Sequence, residues 1–593
     1  MLLPMKRWQV APQVHDQYLA GFPDLPPLLV QVLYSREIED PAAASDFLAG
    51  RVAIDDPFLL KGMDRAVPRL QRAICRGEKI AIYGDFDADG VTATALLVQV
   101  LSSLGARVEP YIPDRVDEGY GLNLGALRKL YLRRVRLVVT VDCGVRSVHE
   151  VEQANRHLNL IITDHHLPGD RLPPATAIID PKQSGCSYPF QNLSGVGLAY
   201  KLAQALLARP PAGSPPVPDL QESLLDLVAL GTVADMAPLL GENRLLVQRG
   251  LNALNEASRP GVAALMADAG LRRGEVDSTA IGFRLGPRLN AAGRLEHAML
   301  AYDLLTKTDG LETKNLAERL GELNRRRQQL TDETVAAAEA QVLADDPEAR
   351  LYLAASPDFK PGILGLAASR LTEAYYRPSV VVEWGEEESR GSCRSIPEFH
   401  ITAALDECQD LLIRHGGHSA AAGFTVATSN LPALRERLQA IAAERLAGVE
   451  LRPSLKIDAV LPLEEAGWPV QDLLSQVEPC GAENPTPVLL SRDVEVREVK
   501  AMGVDQKHLK LVLRDRRGVT WDAVLFRGGN LRDQVPSRID VAYCLKASEW
   551  NGERRLQLEV QDLQASTQPI TLGIPQEERA EARTPNLRTN YAR

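Results

Sequence analysis

The sequence has no membrane-length hydrophobic run, few aromatics and no paired-cysteine motif, and each absence closes off a class of protein. Its apolar stretches fall far short of the roughly 20 residues that a membrane helix requires. The start, MLLPMKRWQVAPQ, lacks an apolar core followed by a small-residue cleavage site, so a secretory leader is not expected. The seven cysteines (Cys75, Cys143, Cys186, Cys393, Cys408, Cys480 and Cys544) are odd in number and nowhere spaced C-x-x-C. That argues against a disulfide framework or a zinc knuckle and for a reducing compartment, so a cytoplasmic enzyme is expected. Aromatics make up 5% of the chain, within an otherwise ordinary 45% hydrophobic and 24% charged composition. An excess of basic charge is also missing. The net charge of −11, taken over the whole chain, argues against nucleic acid. Phosphate is met by a local groove, however, and residues 491–517 carry eight Lys/Arg against five Asp/Glu, which permits polyanion binding.

What is there is organised. At 593 residues, about two to four domains are expected. From about 78 to 182, short apolar runs (KIAIYG, VEPYI, LVVTVD, LNLIIT, TAIID) alternate with amphipathic stretches such as VTATALLVQVLSSLG, predicting a mainly parallel α/β sheet. Residues 51–310 are read as this first lobe, behind an N-terminal segment, 1–50. Residues 311–345 contain no proline and place Leu316, Leu320 and Leu323 at helical spacing, predicting one long helix that joins two lobes. A second, smaller α/β lobe spans 346–448. After it, closely spaced alternating strands over 449–565 predict a small β-barrel of the OB type. Residues 566–593 are polar without apolar period and read as a disordered tail.

Four polar clusters sit at ends of predicted elements, and parallel sheets bind ligands at the carboxyl ends of their strands. YGDFDADG crowds Asp85, Asp87 and Asp89 after one strand, and VVTVDCG ends another on Asp142. IITDHHLPG ends a third on Asp164, His165 and His166, and LVALGTVADM sets Asp235 among apolar neighbours. Singly, these are consistent with a solvated acidic turn, a helix cap or a surface Asp-His-His. Together they form a hard oxygen-and-nitrogen donor set that suits manganese or magnesium better than structural zinc. There are more carboxylates than one ion requires, which points to two ions about 3.5–4 Å apart, as in phosphoryl hydrolysis.

These motifs resemble those of the DHH phosphoesterases. YIPDRVDEGYGL, GPRLNAAGR, GSCRS, HGGHSAAAG and EPCGAENPTPVL narrow the resemblance to the bacterial RecJ family over roughly 50–565. It implies a DHH domain, a DHHA1 domain and an OB-fold, and a 5′→3′ exonuclease on single-stranded DNA. Carried over, it implies metal roles for Asp85, Asp87, Asp89, Asp142, His165 and Asp235. His166 is either a ligand or a partner of the scissile phosphate that assists the departing 3′-oxygen. The attacking water is activated by the cations, and 5′-mononucleotides are released. Arg115, with Ser392 or Arg394, would hold the 5′-terminal phosphate, and Tyr120 would stack a base. Ser395, His415, Gly416, Gly417 and His418 would offer further donors to phosphate. Arg288, Asn290 and Arg294 would contact the backbone or brace the site, with Lys510, Arg554 and Arg555 as weaker DNA contacts on the barrel. One departure is visible: relatives commonly carry Trp-His where this chain has Phe359-Lys360. The family role implies a monomer working in repair and recombination with a helicase and a single-strand-binding protein.

Two other readings were weighed. A phosphodiesterase for short oligonucleotides or cyclic dinucleotides would share the chemistry, but such relatives are typically shorter and lack the barrel. A non-catalytic replication scaffold would not need intact acidic and histidine motifs.

Overall fold

The computed structural model describes residues 6–566 except Ala53, Val116, Asp117, Tyr120, Asn551 and Gly552. The predicted tail beyond Ser566 and the Tyr120 assignment therefore lie outside the described residues. By contacts the chain forms two units: residues 49–450 with 479–485, and residues 1–48 with 451–478 and 486–593.

The larger unit begins its sheet with Lys79–Gly84. The sheet is parallel and five-stranded, in the order Arg107–Tyr111, Lys79–Gly84, Val135–Val141, Asn159–Thr163, Ala177–Ile179. Its strands are apolar almost throughout because both faces are covered: Ile80, Ile82, Leu137 and Val139 pack on one face, and Ala81, Tyr83, Val138 and Leu160 on the other. The second strand in sequence adds to one side of the first and the third adds to the other. The winding therefore reverses between Lys79–Gly84 and Val135–Val141, where a crevice opens at the carboxyl ends. Asp85 and Asp142 are the residues that leave those two ends.

Helix Gly310–Asp345 runs 36 residues, or about 54 Å at 1.5 Å per residue. Asp309 caps it by accepting from the Glu312 N–H at 2.8 Å. Its first half buries Ala317, Leu320 and Leu323 in the core of the first lobe. Its second half buries Ala338 and Val342 in the core of the second lobe. One helix thus belongs to two cores. Phe359 also lies in that second core, 3% exposed, while Lys360 is exposed at the start of helix Pro361–Tyr375. The second lobe carries a mixed five-stranded sheet in which Tyr352–Ser356 and Ser379–Glu383 are parallel and the remaining pairings are antiparallel.

In the smaller unit, Leu489–Met502 pairs with both His508–Arg514 and Arg538–Trp550. Thr520–Leu525 and Glu553–Ala565 complete the ring, closing a five-stranded barrel without a free edge. The N-terminal residues belong to this unit. Strand Arg7–Val10 pairs in parallel with Ser454–Ile457, Trp8 Nε1 donates to Asp562 at 2.7 Å, and Arg36 meets Asp458 at 2.9 Å. Among the barrel cations, Lys510 pairs with Asp522 at 3.1 Å and Arg554 stacks 4.9 Å from the Trp468 ring centre. Arg555 is exposed.

Candidate metal centre

Each acidic ligand is placed by an element end. Asp87 caps helix Ala88–Ser103, its Oδ1 accepting from the N–H groups of Asp89 and Gly90 at 3.0 and 3.1 Å. Asp89, inside the first turn, accepts from Gly195 and Val196 N–H, each at 2.7 Å, at the start of helix Gly195–Ala208. That approach needs a glycine, since a Cβ on Gly195 would stand 2.7 Å from Asp142 Cβ and 2.9 Å from Asp89 Oδ2. Asp142 leaves its strand at φ 61°, a left-handed turn that Asp tolerates better than most residues. Asp235 ends helix Leu225–Ala234, and Met236 beyond it has φ 60°.

Side chains from all four motifs converge. Ligand atoms of Asp85, Asp87 and Asp142 lie within 4.8 Å of one another, as do those of Asp89, His165 and Asp235 and those of Asp142, His165 and His166. His165 Nε2 is 3.0 Å from Asp142 Oδ1 and 3.8 Å from Asp235 Oδ2. The 3.0 Å approach is not a hydrogen bond. Both atoms are buried without a hydrogen-bond partner among the described residues, and Asp85 Oδ1 is in the same condition. Two adjacent ligands of one octahedral ion, each about 2.1 Å from it, stand about 3 Å apart. Orphaned acceptors at that separation are what a divalent cation leaves when it is not counted.

The electrostatics agree. Burial, then repulsion from Asp87, pushes the Asp89 carboxyl up to about 7 despite its two amide donors. Burial and the charges of Asp89 and Asp87 push Asp235 to about 9. Asp85 and Asp142 are raised well above the carboxylate range, chiefly by burial and then by their acidic neighbours. Burial, then His166, lowers His165 to about 3, leaving a neutral imidazole with a lone pair to give. His166 differs. Burial lowers its pKa, but a 2.8 Å bond from Nδ1 to Asp164 more than offsets this, and the ring is raised. Burial likewise raises Asp164, and the His166 bond outweighs it, so that carboxyl stays ionised.

Cations gather close by. The Arg115 guanidinium lies 4.6 Å over the Phe86 ring and in the field of Asp85 and Asp87. Burial, then Arg115 and Arg327, lowers Arg294 to about 9, with Arg394 also contributing. Arg394 Nη1 reaches Ser392 Oγ at 3.4 Å, and a Cβ on Gly365 would meet both side chains, at 3.0 and 3.1 Å. His418, in the second lobe, feels burial first and then the charges of Arg146, His166 and Lys182.

Other residues expected at the site are occupied by the protein itself. Arg288 is bonded to Asp268 at 2.8 Å. Asn290 accepts from Ala88 N–H at 2.7 Å and so braces the triple-aspartate turn. Ser395 Oγ donates to Phe399 O at 2.6 Å, and His415 Nε2 is 2.8 Å from Asp406. Gly416 and Gly417 end strand Leu412–Gly417, both exposed. Two residues carried no sequence signal, Arg327 on the long helix and Lys182 after the last strand of the first sheet, while Asp180 ends the predicted strand TAIID as Asp142 ends its own.

A parallel sheet with an acidic and histidine cluster at its reversal point, joined by one helix to a second α/β lobe, defines a chain of the DHH class. Family models agree: the DHH family N-terminal domain matches residues 79–232, the DHHA1 domain 349–444 and the RecJ OB domain 457–562. The chain belongs to the RecJ family. It is 38% identical over 578 residues to the single-stranded-DNA-specific exonuclease RecJ of Bacillus subtilis, covering 95% of this chain and 72% of that one. It is 34% identical over 565 residues to the RecJ of Dickeya dadantii, covering 91% and 96%. A crystal structure of Thermus thermophilus RecJ in complex with Mn2+ superposes with TM-score 0.80 at 31% identity, covering 95% of this chain and 80% of that one.

Proposed function

We propose that this chain is a single-stranded-DNA-specific 5′→3′ exonuclease that hydrolyses phosphodiesters with two Mn2+ or Mg2+ ions and releases 5′-mononucleotides. It would act in the cytoplasm in DNA repair and recombination, as a monomer, beside a helicase and a single-strand-binding protein. The carrying observation is the convergence of Asp85, Asp87, Asp89, Asp142, His165 and Asp235, with Asp85 Oδ1, Asp142 Oδ1 and His165 Nε2 buried and satisfied by no described residue. These donors are hard and fit Mn2+ or Mg2+. When bound, the cations lower the pKa of the attacking water and neutralise charge on the phosphate.

The remaining work falls to the protein. His166, held by Asp164 through Nδ1 and raised toward its protonated form, gives a proton to the departing 3′-oxygen. Arg115, Arg394 and Ser392, with Arg294 behind them, hold the 5′-terminal phosphate and thereby set polarity. His418 meets the scissile phosphate from the second lobe. A strand must thread between the two lobes, so a blunt duplex should be digested far more slowly than a single strand.

The test is product analysis on a long 5′-phosphorylated strand beside a dinucleotide, with Mn2+, Mg2+ or chelator. Mononucleotides from the long strand, and none with chelator, are expected. Consumption of the dinucleotide alone would reject the exonuclease in favour of a short-oligonucleotide phosphodiesterase. Asp164→Ala is expected to lower kcat by about 10–100-fold, the usual effect of losing the carboxylate behind a working imidazole. Steady-state kinetics with unchanged kcat would remove His166 from the proton transfer.

A further inference from the structure

Beyond the last strand of the first sheet the chain turns through Asp180, Pro181 and Lys182. Asp180 is fully buried. Its Oδ1 accepts from Lys182 N–H at 2.7 Å, and its Oδ2 has no partner among the described residues. The Lys182 ammonium reaches back to the carbonyl of His165 at 2.5 Å. Lysine is thus fixed at both ends, and its partly buried ammonium stands beside a metal ligand with two of three donors still to place. Its charge bears on Asp235 and His165, and with Arg146 on His418 of the second lobe.

The cations therefore form two groups. Arg294 lies in the field of Arg115, Arg327 and Arg394, Arg394 lies in that of Arg115, and Arg115 faces Asp85 and Asp87. Lys182, Arg146 and His418 gather on the side of Asp235 and the two histidines. Arg146 holds its place by donating to Leu167 O at 2.7 Å. An acidic centre bracketed this way suits a strand carrying phosphates on both sides of the one being cleaved. With the 5′-terminal phosphate assigned to the first group, the second group is left to meet phosphate on the 3′ side.

We propose that Lys182 is a specificity-determining residue, its ammonium binding the phosphate on the 3′ side of the scissile one. This rests on the exonuclease reading and deepens it. A 5′-phosphorylated dinucleotide has a terminal and a scissile phosphate but none for Lys182, whereas a trinucleotide has one. Lys182 thus favours polymers over dinucleotides.

The experiment compares Lys182→Met and Lys182→Arg with the unaltered enzyme on 5′-phosphorylated di- and trinucleotides, together with Mn2+ titration calorimetry. For Lys182→Met, the ratio of kcat/KM for trinucleotide over dinucleotide should fall about tenfold, mostly through KM, which corresponds to about 1.4 kcal/mol. The salt dependence of strand binding should weaken by about one phosphate contact. Lys182→Arg should restore most of both, with Mn2+ affinity little altered in either variant. Equal losses on the two substrates with weakened Mn2+ binding would make Lys182 a mere prop for His165 and overturn the inference, as would an unaltered ratio. If the unaltered enzyme releases no mononucleotides even from a long 5′-phosphorylated strand, the exonuclease reading itself fails and this inference with it, whereas a long strand degraded without any preference for the trinucleotide over the dinucleotide overturns the inference alone.

Discussion

Asp142→Asn should slow hydrolysis by well over 100-fold and at the same time raise the melting temperature of the metal-free protein. The two effects have one cause. Asp142 is shared by two of the three ligand groups, and its Oδ1 faces His165 Nε2 at 3.0 Å without a hydrogen bond. Loss of an outer-shell partner costs about 10–100-fold in metal affinity or activity, and loss of a side chain that would hold the ions directly should cost more. Without metal, the same carboxyl is a buried group crowded by Asp89, Asp87, Asp85 and Asp235. An amide of the same shape is neutral without the proton uptake that burial and those acidic neighbours force on the carboxyl near neutral pH, and it leaves the helix start at Gly195 undisturbed. Rate measurements with saturating Mn2+, paired with thermal melts in chelator, check both. A variant that loses activity and also melts lower without metal would show that Asp142 serves the fold rather than the ions.

The sequence made the centre legible because its ligands end elements whose period is unmistakable. The short β-branched runs before Asp85, Asp142 and Asp164 read as buried strands, and a charge that stops such a run lies at the carboxyl end of its strand. The long helix was legible for a similar reason: it lacks proline and carries leucines at helical spacing. What stayed hidden depends on contacts between residues far apart in the chain. Nothing in Arg7–Val10 announces a partner at Ser454–Ile457, so the N-terminal residues read as a separate segment. Arg288 and Asn290 sit in one motif, yet one is bonded to Asp268 and the other to the Ala88 amide. Sequence cannot tell a brace from a substrate contact when both call for the same side chain. Asp180 and Lys182 form a plain Asp-Pro-Lys turn, and only the fold brings that lysine to His165.

Chelator-treated protein should lose stability as pH rises from about 5 to 9, and Mn2+ should abolish that loss. The sign follows from the carboxyls. Asp89 and Asp235 have folded pKa values pushed up to about 7 and about 9, against an ordinary aspartate value of 3.8. Between the unfolded and folded values the native chain keeps protons that the unfolded chain has released, so unfolding is increasingly favoured as pH rises. The stabilising protonation is complete below about pH 4 and is lost as pH passes first the Asp89 value and then that of Asp235. A divalent cation takes over the protons' role. Binding must therefore expel them, on the order of one to two per protein near neutral pH, and Mn2+ affinity must weaken toward acid. Melting curves across this range with and without Mn2+ read the slope. Calorimetry in two buffers of different ionisation enthalpy counts the protons. Other carboxylates contribute equally to both melting series, so the difference between the series isolates this centre. Parallel slopes with no proton release would mean that the converging aspartates are already satisfied within the protein, and the case for a metal centre built from Asp85, Asp89, Asp142 and Asp235 would fall with them.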